Sequence, residues 1–150
     1  MAQSFTNLLY HILFSTKHRE PMITGLIEAR LHRYLGGIVR GQKGIALEIN
    51  GMPDHVHVLA KLSQNRSVAD VLRELKADSS GWVHREHPSL NAFSWQLGYA
   101  AFTVSESQVA RVRQYIRNQK QHHRQVTFQE ELIALLRAHG VDFEEKYLWR

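Results

Sequence analysis

The chain has no cysteine. That absence removes disulfide scaffolds, zinc–thiolate sites, iron–sulfur clusters and thiol nucleophiles together, and it fits a reducing, cytoplasmic setting. No apolar run approaches the ~20 residues needed to cross a bilayer, so no membrane partner is expected. The stretch from Met1 to Asn7 lacks the basic n-region of a secretory signal. Linkers, low-complexity tracts and internal repeats are also missing. Glycines cluster only at Gly36, Gly37, Gly41 and Gly44, as punctuation between elements. What remains is a 150-residue chain, 43% hydrophobic and 22% charged. This is the make-up of one domain, residues 1–150, with a sizeable core.

Nineteen Lys and Arg oppose fourteen Asp and Glu, a net charge of +5. A basic balance favours polyanionic partners, because neutralised phosphates release condensed counterions. The ten histidines are the less ordinary count. Histidine supplies metal ligands and proton carriers near neutral pH, so their placement matters most.

Leu8 to Phe14 is apolar, aromatic and branched, and predicts a strand buried on both faces. Residues from about Thr24 to Arg40 predict a helix with Leu26, Ile27, Ala29, Leu31 and Leu35 as its apolar set. Strands follow at 45–49 and 55–60, joined by a turn over Asn50, Gly51, Met52 and Pro53. Ser67 with Asp70 resembles a capping box ahead of a helix reaching the region of His84. Residues 94–104 predict a fourth strand. Ser105 with Gln108 is a second capping signature, opening a helix through about His122. Thr127 with Glu130 is a third, and Gly140 a plausible stop. The order β-α-β-β-α-β followed by two more helices predicts an α+β fold, a ferredoxin-like split βαβ sandwich with an antiparallel four-stranded sheet. In that fold both helices cover one sheet face and leave the other open. Fold alone says little about function.

His55 and His57 stand two apart on a predicted strand, so both side chains share a face, while Val56, Val58 and Ala60 point into the core. Two such imidazoles reach one divalent cation if a third ligand arrives from elsewhere. The triplet alone reads as two partly exposed strand histidines. In the helix after the fourth strand, Val109, Val112 and Ile116 form an inward stripe. Tyr115 and Gln119 lie one turn apart on its flank, where a phenol and a carboxamide can converge. Periodicity alone reads them as a packing aromatic and a solvated polar residue.

Together these motifs resemble the small single-tyrosine HUH transposases of insertion sequences, the IS200-like enzymes that move single-stranded DNA. The similarity rests on His55-Val56-His57 preceded by Met52-Pro53-Asp54, and on Tyr115-Ile116-Arg117-Asn118-Gln119 followed by His122-His123. It extends through 95–102 and the ending 145–149, and so covers essentially the whole chain.

The resemblance implies that His55, His57 and Gln119 bind Mg²⁺ or Mn²⁺ and that Tyr115 is the nucleophile. It implies cleavage and rejoining of single-stranded DNA at hairpin-bearing ends through a 5′-phosphotyrosine link, by a homodimer whose sites form in cis or in trans. The chemistry is reasonable. A phenol with pKa ~10 is a poor nucleophile at neutral pH, and a cation on the scissile phosphate offsets developing charge. Lys17, Arg19, Arg73 and Lys76 are candidate phosphate contacts, although each taken singly also reads as solvated surface. His11 either shares the open sheet face with the histidine pair or is a satisfied core residue. Two rivals remain. A nonenzymatic single-stranded nucleic-acid-binding module on the same fold would not need both Tyr115 and Gln119. Replication-initiation and relaxase enzymes are usually longer.

Overall fold

A computed structural model describes residues 3–150; Met1 and Ala2, part of the N-terminal stretch considered for a signal, lie outside the described residues. The elements are β1 (Leu8–Ser15), α1 (Glu28–Gly41), β2 (Ile45–Met52), β3 (His55–Leu62), α2 (Val68–Glu86), β4 (Ala100–Thr103), α3 (Val109–Arg117), α4 (Gln119–His122) and α5 (Phe128–Ala138). The four strands form one antiparallel sheet in the order β2-β3-β1-β4. Interior β3 and β1 therefore lie side by side, as the split βαβ reading requires. No helix among the described residues is long and apolar enough to cross a membrane.

Side-chain alternation divides the sheet into two faces. Ile12 and Phe14 of β1, with Val56, Val58 and Ala60 of β3, pack against Leu31, Leu35 and Val39 of α1 and Val71, Leu72 and Leu75 of α2. On the opposite face Leu13 and Phe102 meet Phe128, Leu132 and Leu136 of α5. β1 is thus buried on both faces, and the face opposite α1 and α2 is covered by the C-terminal helices.

Several boundaries differ from the sequence reading, each for a local reason. α1 begins at Glu28 rather than near Thr24. Leu26 and Ala29 are exposed; Ile27, Leu31 and Leu35 are buried as expected, and Ile23, ahead of the helix, joins them in the core. β2 runs through Met52, so only Pro53 and Asp54 turn the chain into β3. The tightness of that hairpin requires glycine at 51, because a Cβ there would lie 2.2 Å from the His55 carbonyl oxygen. The turn is anchored by Thr16 N–H donating to the Asp54 carbonyl at 2.9 Å and Ile23 N–H to the Pro53 carbonyl at 2.9 Å.

The fourth strand shrinks to Ala100–Thr103. Trp95 makes only a single bridge with Thr16, and Leu97 is 91% exposed. The Ser67 cap forms, its hydroxyl accepting from Asp70 N–H, and so does the full Thr127/Glu130 box. The Ser105 cap does not; that hydroxyl pairs with Ser107. The expected continuous helix to His122 breaks at Asn118. There the Asn50 amide on β2 donates to the carbonyls of Ile116 at 3.0 Å and Arg117 at 3.1 Å, satisfying groups a helix end leaves open. Gly140, at φ +66°, follows the end of α5.

Candidate metal and tyrosine site

β3 carries His55 and His57 toward the α5 side of the sheet, and both are 0% exposed. Burial at these positions differs from the partly exposed pair that the triplet alone suggested. Each imidazole is held from behind. His55 Nδ1 lies 2.7 Å from Asp54 Oδ1, and His57 Nδ1 lies 2.7 Å from Nε2 of His11. His123, just after α4, has its Nδ1 2.7 Å from the Val126 carbonyl. Anchoring of one ring nitrogen fixes the tautomer and aims the other. All three Nε2 atoms consequently converge on one small volume.

The centre of that volume is Glu131 of α5, which is 2% exposed. Its Oε1 lies 3.0 Å from His57 Nε2, 3.3 Å from His55 Nε2 and 3.0 Å from His123 Nε2. Its Oε2 accepts from the Tyr115 hydroxyl and, at 2.8 Å, from the Gln119 amide. Gln119 turns its own oxygen to His55 Nε2 and His123 Nε2, both at 3.0 Å. The break at Asn118 lets Gln119 start α4 fully buried while Tyr115, in the last turn of α3, is half-buried, its ring centroid 5.9 Å from that of His57. A single chain therefore brings together His55, His57, Tyr115 and Gln119.

The electrostatics follow from this packing. Burial would lower the His55 pKa, but hydrogen bonds to Asp54 and Glu131 overturn that and raise it to about 9. Burial dominates at His57, which is lowered despite Glu131, and at His11, which falls to about 3 with help from His57. Burial works against ionisation of Glu131, yet hydrogen bonds from His123, His55 and His57 hold its carboxyl well below the usual range. The Tyr115 phenol is pushed up by burial and then by the Glu131 charge. The nitrogen and oxygen donors of His55, His57, His123 and Glu131 lie within 4.8 Å of one another. A set of imidazoles with a carboxylate and a carboxamide oxygen suits a divalent cation.

The proposed DNA contacts are scattered. Arg19 lines a groove beside the site with His18, Asp54, His123 and Arg124, its guanidinium over the Trp149 ring. Lys17, two residues earlier, is exposed. Arg73 and Lys76 sit on α2, across the sheet from His55. Arg73 pairs with Asp70, and the Lys76 ammonium donates to the carbonyls of Gln96, Leu97 and Gly98.

A family model described as IS200-like transposase matches residues 4–119. The chain belongs to that family. It is 29% identical over 119 residues to the ISDra2 transposase TnpA of Deinococcus radiodurans, covering 75% of this chain and 84% of that protein. A crystal structure from Deinococcus radiodurans R1, assigned as a transposase, aligns with a TM-score of 0.64 at 27% identity, over 79% of this chain and 98% of that one. A REP-associated tyrosine transposase bound to a REP hairpin aligns with a TM-score of 0.61, over 84% of this chain and 74% of that one. At 13% identity that last likeness is one of fold.

Sequence reasoning missed Glu131 and assigned no ligand role to His123. A signal for Glu131 was present. Phe128, Leu132, Leu135 and Leu136 define the apolar stripe of α5, and Glu131, three residues after Phe128, falls on it. A carboxylate on a buried stripe needs charged or hydrogen-bonding partners waiting for it.

Proposed function

We propose that this chain, acting as a single domain over residues 1–150, is a transposase that cuts and rejoins single-stranded DNA at hairpin-bearing element ends. Tyr115 is the nucleophile and forms a 5′-phosphotyrosine link, and His55, His57 and Gln119 hold Mg²⁺ or Mn²⁺. The observation that carries this reading is the meeting of nucleophile and ligands on one carboxylate. Tyr115 and Gln119 share Oε2 of Glu131 while His55 and His57 approach Oε1.

A bound divalent cation supplies Lewis acidity to the scissile phosphate. The protein side chains do the rest. Tyr115 is protonated at neutral pH, being pushed up by burial and by Glu131. Its O–H bond must break as the O–P bond forms, and Glu131 Oε2 is the acceptor it already addresses. The P–O3′ bond breaks, and the departing 3′-oxygen takes a proton from solvent. The phosphodiester energy stays in the tyrosyl link, so a later 3′-hydroxyl restores the strand without ATP. Asp54 and His11 position the two imidazoles through their Nδ1 atoms.

A DNA partner is supported by the family and by the hairpin-bound structural neighbour. Lys17 and Arg19 are the strand contacts nearest the site. Arg73 and Lys76 would touch only DNA passing the outer face of α2. The working assembly is a homodimer, the commonest closed symmetry, with each active site made within one chain.

Incubation with hairpin-bearing single-stranded DNA and Mg²⁺ or Mn²⁺, followed by mass spectrometry of the trapped complex, tests the proposal. A nucleotide on Tyr115, lost in Tyr115→Phe, is the expected result. A nucleotide on Tyr99 or Tyr147 overturns the assignment. No adduct with any cognate end favours a nonenzymatic single-stranded nucleic-acid-binding protein.

A further inference from the structure

The family match ends at residue 119, yet two of the groups closest to the histidine pair come from beyond it. Glu131 Oε1 is 3.0–3.3 Å from three imidazole Nε2 atoms. Four donors around an ion with bonds of about 2.0–2.1 Å stand roughly 3.3 Å apart; the Glu131–imidazole distances are close to that spacing, and all four donors lie within 4.8 Å of one another.

Three observations point from this cluster to a metal. Each histidine is anchored at Nδ1, by Asp54, His11 or the Val126 carbonyl, and each turns Nε2 inward. This is the arrangement of ligating histidines. Glu131 is delivered by a helix whose start is fixed by the complete Thr127/Glu130 capping box and whose Phe128, Leu132 and Leu136 are packed on the sheet. The carboxylate is therefore placed by the fold rather than by a flexible loop. Finally, the donor types differ from an oxygen-rich cage. Three imidazoles with one carboxylate favour borderline transition metals, whereas Mg²⁺ prefers oxygen donors and retained waters.

We propose that His123 and Glu131 join His55 and His57 in a four-donor site for a transition-metal ion, which prefers Mn²⁺ and Zn²⁺ to Mg²⁺. The inference rests on the reading of the histidine pair as a metal site and adds two ligands and a metal preference to it. The Gln119 oxygen, 3.0 Å from both His55 and His123, keeps its place as a ligand and stands as the fifth donor beside these four.

The test is calorimetric titration of the metal-stripped full chain with Mn²⁺, Zn²⁺ and Mg²⁺, with no DNA present. Electron paramagnetic resonance of the Mn²⁺ complex reports its ligand field. The wild type should bind one Mn²⁺ or Zn²⁺ at least roughly tenfold more tightly than Mg²⁺. Glu131→Gln should weaken Mn²⁺ binding by roughly 10–100-fold and change the Mn²⁺ spectrum. His123→Asn should do the same, and it serves alone if Glu131→Gln fails to fold by circular dichroism. Unchanged Mn²⁺ affinity in the folded variants, with binding lost in His57→Ala, overturns the added ligands and leaves the histidine-pair reading standing. Mg²⁺ bound as tightly as Mn²⁺ overturns the preference. No binding of any of the three ions by the wild type overturns both.

Discussion

Glu131 reaches across 74 residues of sequence to stand 3.0 Å from His57. Neither side chain is accessible to solvent beyond 2%. The pair joins α5 to β3 and makes the stability of the C-terminal helix depend on an imidazole in the sheet.

His57→Ala should therefore do two things. Cleavage of single-stranded DNA should be abolished. The fold should also lose about 1–3 kcal/mol, because Glu131 and His11 are each left with a buried group short of a partner. Urea denaturation and a cleavage assay measure the two effects. Wild-type stability in the variant would show that the Glu131 contact is not formed in solution.

Mixing experiments address where the site is built. With Tyr115, His55, His57 and Gln119 within contact distance in one chain, heterodimers of Tyr115→Phe and His57→Ala should recover no cleavage. Subunit exchange should be verified separately, for instance by light scattering of size-tagged chains. Recovered cleavage would establish sharing between subunits.

The basic residues should separate by role. Lys76 donates to three successive backbone carbonyls and is held down to about 8 by burial. Lys76→Met should cost about 1–3 kcal/mol of stability, since the 96–98 loop loses its charged donor. Lys17→Ala, at an exposed position, should leave stability unchanged and reduce the salt dependence of DNA binding. Thermal melts and binding titrations at two salt concentrations distinguish them.

Part of the acid-linked loss of stability should trace to His32 on α1, alongside the buried His11 and His57. Burial lowers the His32 pKa from 6.5 to about 4, against the pull of Glu28. The unfolded chain binds the proton more readily in that window, so this contribution is fully present above about 6.5 and is lost as pH falls toward about 4. His32→Leu should flatten the stability-versus-pH curve over the same interval. An unaltered slope in urea titrations would assign the effect elsewhere.

Much of the fold was legible because its signals are local. The apolar run of β1, the alternation in β3 and the Ser67 and Thr127 caps depend on neighbours a few residues away. The histidine face followed from the same alternation. What escaped depends on distant contacts. The break at Asn118 is supported by Asn50, 66 and 67 residues away from the carbonyls it fills, and no periodicity within α3 announces it. The fourth strand shortens because 94–99 are occupied elsewhere: Trp95 bridges Thr16, and the Gln96 side chain accepts from Ser15 N–H and donates to the Arg150 carbonyl. Glu131 lies on the apolar stripe of α5, but the imidazoles it meets stand on β3, 74 and 76 residues away.

The seam formed by Leu13 and Phe102 with Phe128, Leu132 and Leu136 governs admission as well as stability. His55, His57 and Gln119 are closed to water, and a sugar-phosphate strand is far bulkier than water. A phosphate meets these groups only when the packing between α5 and the sheet loosens, which bares part of those five apolar side chains. Their hydrophobic cost, rather than bond-breaking alone, then becomes a toll on the frequency of strand cutting.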